Sequence, residues 1–219
     1  MDPSEFFEAI RKGDGERFDA LLQQHPELAR ARNGQGVSAL LFARYCNRLE
    51  MVEKLLPLNP GPDIFEAAAL GKRNRVAELV TSELGLVASF STDGFTALHY
   101  ACFFGHPNVA EFLLRYGADA NARSKNATAV MPLHSAVANV RKLKTVEWLL
   151  EYGAKINATQ PGGWTALHAA AANGDAEIVA FLLEKGAATG QKAENGQTAS
   201  DRAQEKGHEQ VVAVLRAHA

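Results

Sequence analysis

The stretch TALHYACFFGH, residues 96–106, decides the fold, because it reads as one short helix with a start and a stop. Thr96 is a residue that caps helix N-termini by accepting from a backbone N–H two or three positions on. Leu98, Ala101 and Cys102 fall at i, i+3 and i+4 and make one narrow apolar face. Gly105 supplies the left-handed residue that ends a helix. A second apolar segment follows, with Val109, Phe112, Leu113 and Leu114, and it stops at Gly117.

The pattern recurs. MPLHSAVANV at Met131, TALHAAAANGD at Thr165 and TASDRAQEKGH at Thr198 align with the stretch at Thr96, at successive spacings of 35, 34 and 33 residues. Each is followed by its own second segment, such as TVEWLLEYGAKIN or EIVAFLLEKGAATG. Towards the N-terminus the signal weakens but persists in PDIFEAAALGK at Pro62, SALLFARYCN at Ser38 and SEFFEAIRKGD at Ser4. A fixed period of this length is the mark of a repeat architecture, in which a helix pair too small to bury its own apolar face is covered by its neighbours. The reading is seven units starting near residues 4, 38, 62, 96, 131, 165 and 198, in one all-α domain spanning 1–219.

These motifs resemble the ankyrin-repeat family. The family pattern T-P-L-H-x-A-A-x-x-G-H followed by V-x-x-L-L-x-x-G-A-D-x-N is matched closely at 96–121 and 165–187. Residues 131–157 match with a one-residue insertion between helices, and residues 1–92 match mainly in spacing. The resemblance implies helix pairs stacked into a curved solenoid, with hairpin fingers at about a right angle and protein binding through the concave face. It also implies that His99, His134 and His168, at one repeat position, tie neighbouring loops by hydrogen bonds.

Departures from the pattern carry their own expectations. Between Ser38 and Pro62 the spacing drops to 24 residues, and Pro57, Pro60 and Pro62 crowd a connection too short for a finger, so the finger row should break there and the stack bend. Two extra residues within 121–131 should make that fingertip protrude, and NVRKLK at 139–144 adds a basic loop. The last unit carries Ser200, Asp201, Arg202, Gln204, Glu205 and Lys206, and the first carries Glu5, Glu8, Arg11 and Lys12. Polar end repeats are what a solenoid needs to stop without exposing core, and the chain is expected to be complete.

Composition narrows the function. A formal net charge of −2 and a pI near 6.4 lack the positive field that nucleic acid demands. No run approaches the ~20 apolar residues of a membrane span, and residues 1–14 contain no signal-peptide core, so the expected location is cytoplasmic. Two cysteines, Cys46 and Cys102, cannot frame a disulfide scaffold. His99, Cys102 and His106 lack a fourth zinc ligand, and no H-E-x-x-H, G-x-S-x-G, Walker A or G-x-G-x-x-G sequence occurs. The chain therefore reads as a non-enzyme without a cofactor or metal.

Phe103 and Phe104 stand at positions that the family leaves variable and directs to the concave side. Reading that strip unit by unit gives Phe42, Tyr45 and Cys46, then Leu70, then Phe95, Tyr100, Phe103 and Phe104. Val130, Ser135, Ala138 and Asn139 follow, and then Trp164, Ala169, Ala172 and Asn173. Seven of the chain's 17 aromatic residues fall on the strip, and polar side chains hold the equivalent places elsewhere, which marks an interaction surface. Tyr100 and Phe42 are expected to pack against neighbouring units. Phe103 and Phe104 are expected as central anchors, flanked by Phe95 and Trp164, with Phe42, Tyr45, Tyr100, Val130, Asn139 and Asn173 completing the candidate site. The expected function is an adaptor for a protein partner. The alternatives are a regulatory or inhibitory subunit of an enzyme and a homodimer through the same patch.

Overall fold

The computed structural model describes residues 3–218. Among them fourteen α-helices occur as seven consecutive pairs: α1 (Ser4–Lys12) with α2 (Gly15–Gln24), α3 (Ala39–Tyr45) with α4 (Leu49–Leu55), α5 (Ile64–Ala69) with α6 (Arg73–Ser82), α7 (Ala97–Phe103) with α8 (Pro107–Arg115), α9 (Pro132–Ala138) with α10 (Leu143–Glu151), α11 (Ala166–Ala172) with α12 (Ala176–Glu184), and α13 (Ala199–Glu205) with α14 (Glu209–Ala217). The first helices of successive pairs pack on one another as one layer, and from α6 onward the second helices form the other. The chain is all-α, with one isolated β-bridge between Arg32 and Ser38 among the described residues.

Each helix begins where its chemistry allows. Ser38, Thr96, Thr165 and Thr198 cap α3, α7, α11 and α13 by accepting from the backbone N–H three residues on. The cap of α5 is Asp63, one residue after Pro62, and Glu66 returns the bond to the Asp63 N–H as a capping box. Leu98, Ala101 and Cys102 are fully buried, so the small-residue face does let adjacent helices approach closely.

Where a helix ends, its last carbonyls need donors. At five of the six junctions the next unit supplies one, each time to the carbonyl two residues before the residue that terminates the helix. Arg48 Nη2 donates to Arg11 O at 2.9 Å, His106 Nε2 to Ala69 O at 3.0 Å and the Val140 N–H to Phe103 O at 3.2 Å. Asn173 Nδ2 reaches Val137 O at 2.8 Å and His208 Nε2 reaches Ala172 O at 3.1 Å. A second set of links runs through the fingers. The Thr96 N–H donates to His99 Nδ1 at 3.2 Å, which leaves the proton on Nε2 to donate to Val130 O at 3.1 Å. His134 Nε2 and His168 Nε2 reach Ala158 O and Gln197 O, at 3.1 and 3.2 Å. Burial pushes the His99 imidazole down to about 4, which keeps it neutral and so able to accept on one nitrogen while donating from the other.

The fingers close on a backbone bond from residue i to i+4: Asn33 to Val37, Ser91 to Phe95, Gln160 to Trp164 and Ala193 to Gln197. The finger with two extra residues closes instead from Ser124 to Val130. The additional length turns onto the preceding finger, where the Lys125 N–H donates to Gly94 O at 2.8 Å and Asn126 Nδ2 to Asp93 O at 2.7 Å. Between α4 and α5 there is no finger. A 3-10 turn, Leu56–Leu58, and the prolines take the chain directly across. As a result the tip of the first finger meets the second from two units away, and a Cβ on Gly36 would stand 2.9 Å from the Thr92 side chain.

The apolar core divides at the same place. One cluster holds unit one and most of unit two, the other takes Val37 and Leu41 from unit two and runs on to Leu215, and the Phe42 ring packs against both.

Candidate functional site

The missing finger and the short α5 together make a groove. The buried face of α5 presents Ala67, Ala68 and Ala69, with no exposure at all. Beside these small side chains Phe65 of the same helix packs on Tyr100 at 6.0 Å, and Tyr45 of α3 meets rings two units away. Its ring centre lies 6.1 Å from Tyr100, 6.3 Å from Phe103 and 5.6 Å from Phe104. Above these rings lies a cavity of about 390 Å³ whose exposed wall is overwhelmingly carbon. Phe42 and Tyr45 of α3, Phe95 of the second finger, Tyr100 and Phe103 of α7 and Val130 of the third finger line it.

Six of the ten candidate residues therefore converge on one cavity, and four do not. Phe104 is not an exposed anchor: it is 2% exposed, with the Arg44 guanidinium 4.4 Å above its ring and Phe103 edge-on at 5.0 Å. At the C-cap of α7 it turns inward beside Arg44 and Tyr45 of α3. Trp164 is half-buried but lies outside the cavity, held between His168 at 5.4 Å and Arg202 of the last unit at 5.0 Å. Asn173 is engaged in the link to Val137, and Asn139 is exposed at the end of α9. Leu70 packs against the N-terminal core cluster instead of lining the groove.

Tyr100 is 2% exposed and mainly core, as expected of it, while its hydroxyl edge reaches the cavity. That edge leads to a residue the sequence reading missed. The Asp93 carboxylate lines the cavity and accepts from Tyr45 Oη at 2.9 Å, from Tyr100 Oη at 2.5 Å and from Ser91 Oγ at 2.5 Å. Burial raises both tyrosine hydroxyls above the ordinary phenol range, with the Asp93 charge adding to the effect, so both keep the proton they donate. Nothing in the repeat pattern singles out Asp93. It occupies a turn position before Gly94, where Asp-Gly is ordinary hairpin chemistry.

The basic groups lie elsewhere. Arg141 is paired with Asp175 at 3.2 Å and Lys144 with Glu147 at 2.8 Å. His99, Cys102 and His106 do not gather into a ligand set among the described residues: His99 uses both ring nitrogens within the fold, His106 commits Nε2 to Ala69 O, and Cys102 is wholly buried. No helix among the described residues is long and apolar enough to cross a membrane.

Comparison with known proteins agrees with this architecture. The family model described as "Ankyrin repeats (3 copies)" matches residues 6–124, 64–160 and 133–219. Mouse "Ankyrin repeat and SOCS box protein 6" is 34% identical over 112 residues, 51% of this chain and 27% of that protein. Human "BCL-6 corepressor-like protein 1" is 33% identical over 116 residues, 52% of this chain and 6% of its own length. A Caenorhabditis elegans homologue of "Transient receptor potential cation channel subfamily A member 1" is 34% identical over 118 residues, 54% of this chain and 9% of that one. The matched segment is thus about a quarter or less of each relative. Helix pairs, histidine-tied fingers and family match agree along the described chain, and the protein belongs to the ankyrin-repeat family.

Proposed function

We propose that this chain is a non-enzymatic adaptor that binds a partner protein in the groove between α3, α7 and the fingers. Ankyrin repeats are in general protein-interaction modules, and the groove is where this one departs from a regular stack. The observation that carries the proposal is the cavity of about 390 Å³ walled by Phe42, Tyr45, Phe95, Phe103 and Val130. That volume falls in the range of ~300–1,000 Å³ that specific ligand groups occupy. Its aromatic walls are preorganised by contacts among themselves and by the Asp93 hydrogen bonds, so a guest side chain finds a formed pocket and docking loses little entropy. Aromatic anchors of this kind dominate binding energies.

The test is a paired capture from source cells with wild type and Phe103→Glu as baits, read by mass spectrometry. Phe103 is half-buried at the groove, so the substitution should leave helicity intact and remove the specific partner. Equal capture by both baits would place the partner elsewhere. Capture of nothing but the chain itself would turn the reading to self-association.

A further inference from the structure

Asp93 is an unusual guest in an aromatic groove. Its three donors, from Ser91, Tyr45 and Tyr100, are neutral hydroxyls, and no cation among the described residues pairs with it. The neighbouring basic side chains are engaged elsewhere: Arg44 on the Phe104 ring, Lys125 on the Phe90 ring and Arg32 on Asp63. The two histidines that line the cavity, His99 and His134, use their Nε2 protons on backbone carbonyls. A carboxylate at a partly desolvated, otherwise neutral site gains from a positive guest, and aromatic faces favour a cation too.

The hydrogen-bond count narrows the guest further. A carboxylate offers about four lone-pair sites. Asp93 Oδ1 already accepts from Ser91 and Tyr100, and Oδ2 from Tyr45, which leaves one site on Oδ2. A guanidinium fork needs both oxygens, whereas a single ammonium N–H needs one. The carbon wall suits a four-carbon stem. We propose that the groove receives a lysine side chain of the partner protein, its stem between Phe42, Phe95 and Phe103 and its ammonium on Asp93 Oδ2. This deepens the groove reading and rests on it.

The test is an amide-resonance titration of the full chain with three probes: the Nα-acetyl N-methylamides of lysine, norleucine and arginine. Saturable shifts at residues 91–104 are expected with the lysine probe. Norleucine, of similar shape without the charge, should bind at least about tenfold more weakly, the difference that one charge-assisted bond makes. Asp93→Asn, shown by circular dichroism to remain folded at the titration temperature, should abolish the preference. Should that variant unfold, the lysine-to-norleucine comparison on the unaltered chain decides alone. Equal binding of norleucine overturns the inference while leaving an apolar groove in place, and arginine binding as tightly as lysine overturns the choice of guest. No shift with any probe also overturns it, whereas loss of a captured partner in Phe103→Glu would still stand for the groove.

Discussion

The Tyr45 hydroxyl donates to Asp93 Oδ2 at 2.9 Å, joining α3 to a finger 48 residues on and passing over a unit that has no finger of its own. The bond crosses the unit whose α5 buries Ala67, Ala68 and Ala69, at the junction where the prolines at 57, 60 and 62 take the place of a hairpin. Removing its donor while keeping the ring tests how much that bridge holds. Tyr45→Phe should cost about 1.5–3 kcal/mol, the ordinary range for a hydrogen bond to a charged acceptor. In a double-mutant cycle with Asp93→Asn, the two losses should not add. Additive losses in urea unfolding would show the bond contributes nothing to the junction.

Phe103 and Phe104 are adjacent and should differ sharply. Phe104→Ala, at a side chain 2% exposed, should cost about 3–5 kcal/mol. Phe103→Ala, half-buried at the cavity, should cost less than about 2 kcal/mol. Equal losses in denaturant midpoint would mean the two rings share one environment.

The contact between the first and second fingers is testable at a single carbon. Gly36 has φ of +77° and its added Cβ would meet Thr92 at 2.9 Å. Gly36→Ala should therefore destabilise by at least about 1–2 kcal/mol. Gly34→Ala has no neighbour within 4 Å and no such backbone strain, and should be close to neutral. A neutral Gly36→Ala would separate the two fingers in solution.

The buried histidines set a pH dependence. His99 lies at about 4 rather than 6.5 because burial disfavours its charge. Between those values the unfolded chain takes up a proton and the folded chain does not, so stability falls as pH drops below about 6.5 and His99 alone accounts for on the order of 3 kcal/mol by pH 4. His106, His134 and His168 are lowered by burial as well and act in the same direction. Urea midpoints measured from pH 7.5 to 4.5 should fall steadily, and the slope should lessen in His99→Gln. A flat profile would mean that His99 is not buried neutral.

Much of this was legible in the sequence, because the fold's rules are local. Thr96, Leu98, His99 and Gly105 each fix a neighbour three to six residues away, and repetition in tandem turns such signals into an architecture. The finger break at Pro57–Pro62 was readable for the same reason, since proline removes both a donor and conformational freedom. The groove was only half readable. Phe42, Tyr45, Phe95, Tyr100, Phe103 and Val130 fall on a strip that the family pattern defines, but which of the strip's residues meet depends on contacts across two units. The pattern treats Phe103 and Phe104 alike, yet Phe104 turns into the space beside Arg44 and Tyr45. Trp164 keeps the strip's register and still leaves the groove, drawn to its own finger by Arg202 of the last unit. Asp93 gave no signal because its role comes only from Tyr45 and Tyr100 arriving beside it.

The central claim is that a partner sits in the groove formed by α3, α7 and the fingers. The most direct test places a photo-cross-linking phenylalanine analogue at position 103 and, in a second protein, at Tyr116, exposed after α8. Irradiation with the partner identified by capture should join it to the chain carrying the analogue at 103 and leave the other unlinked. Cross-linking at 116 with none at 103 would contradict the account.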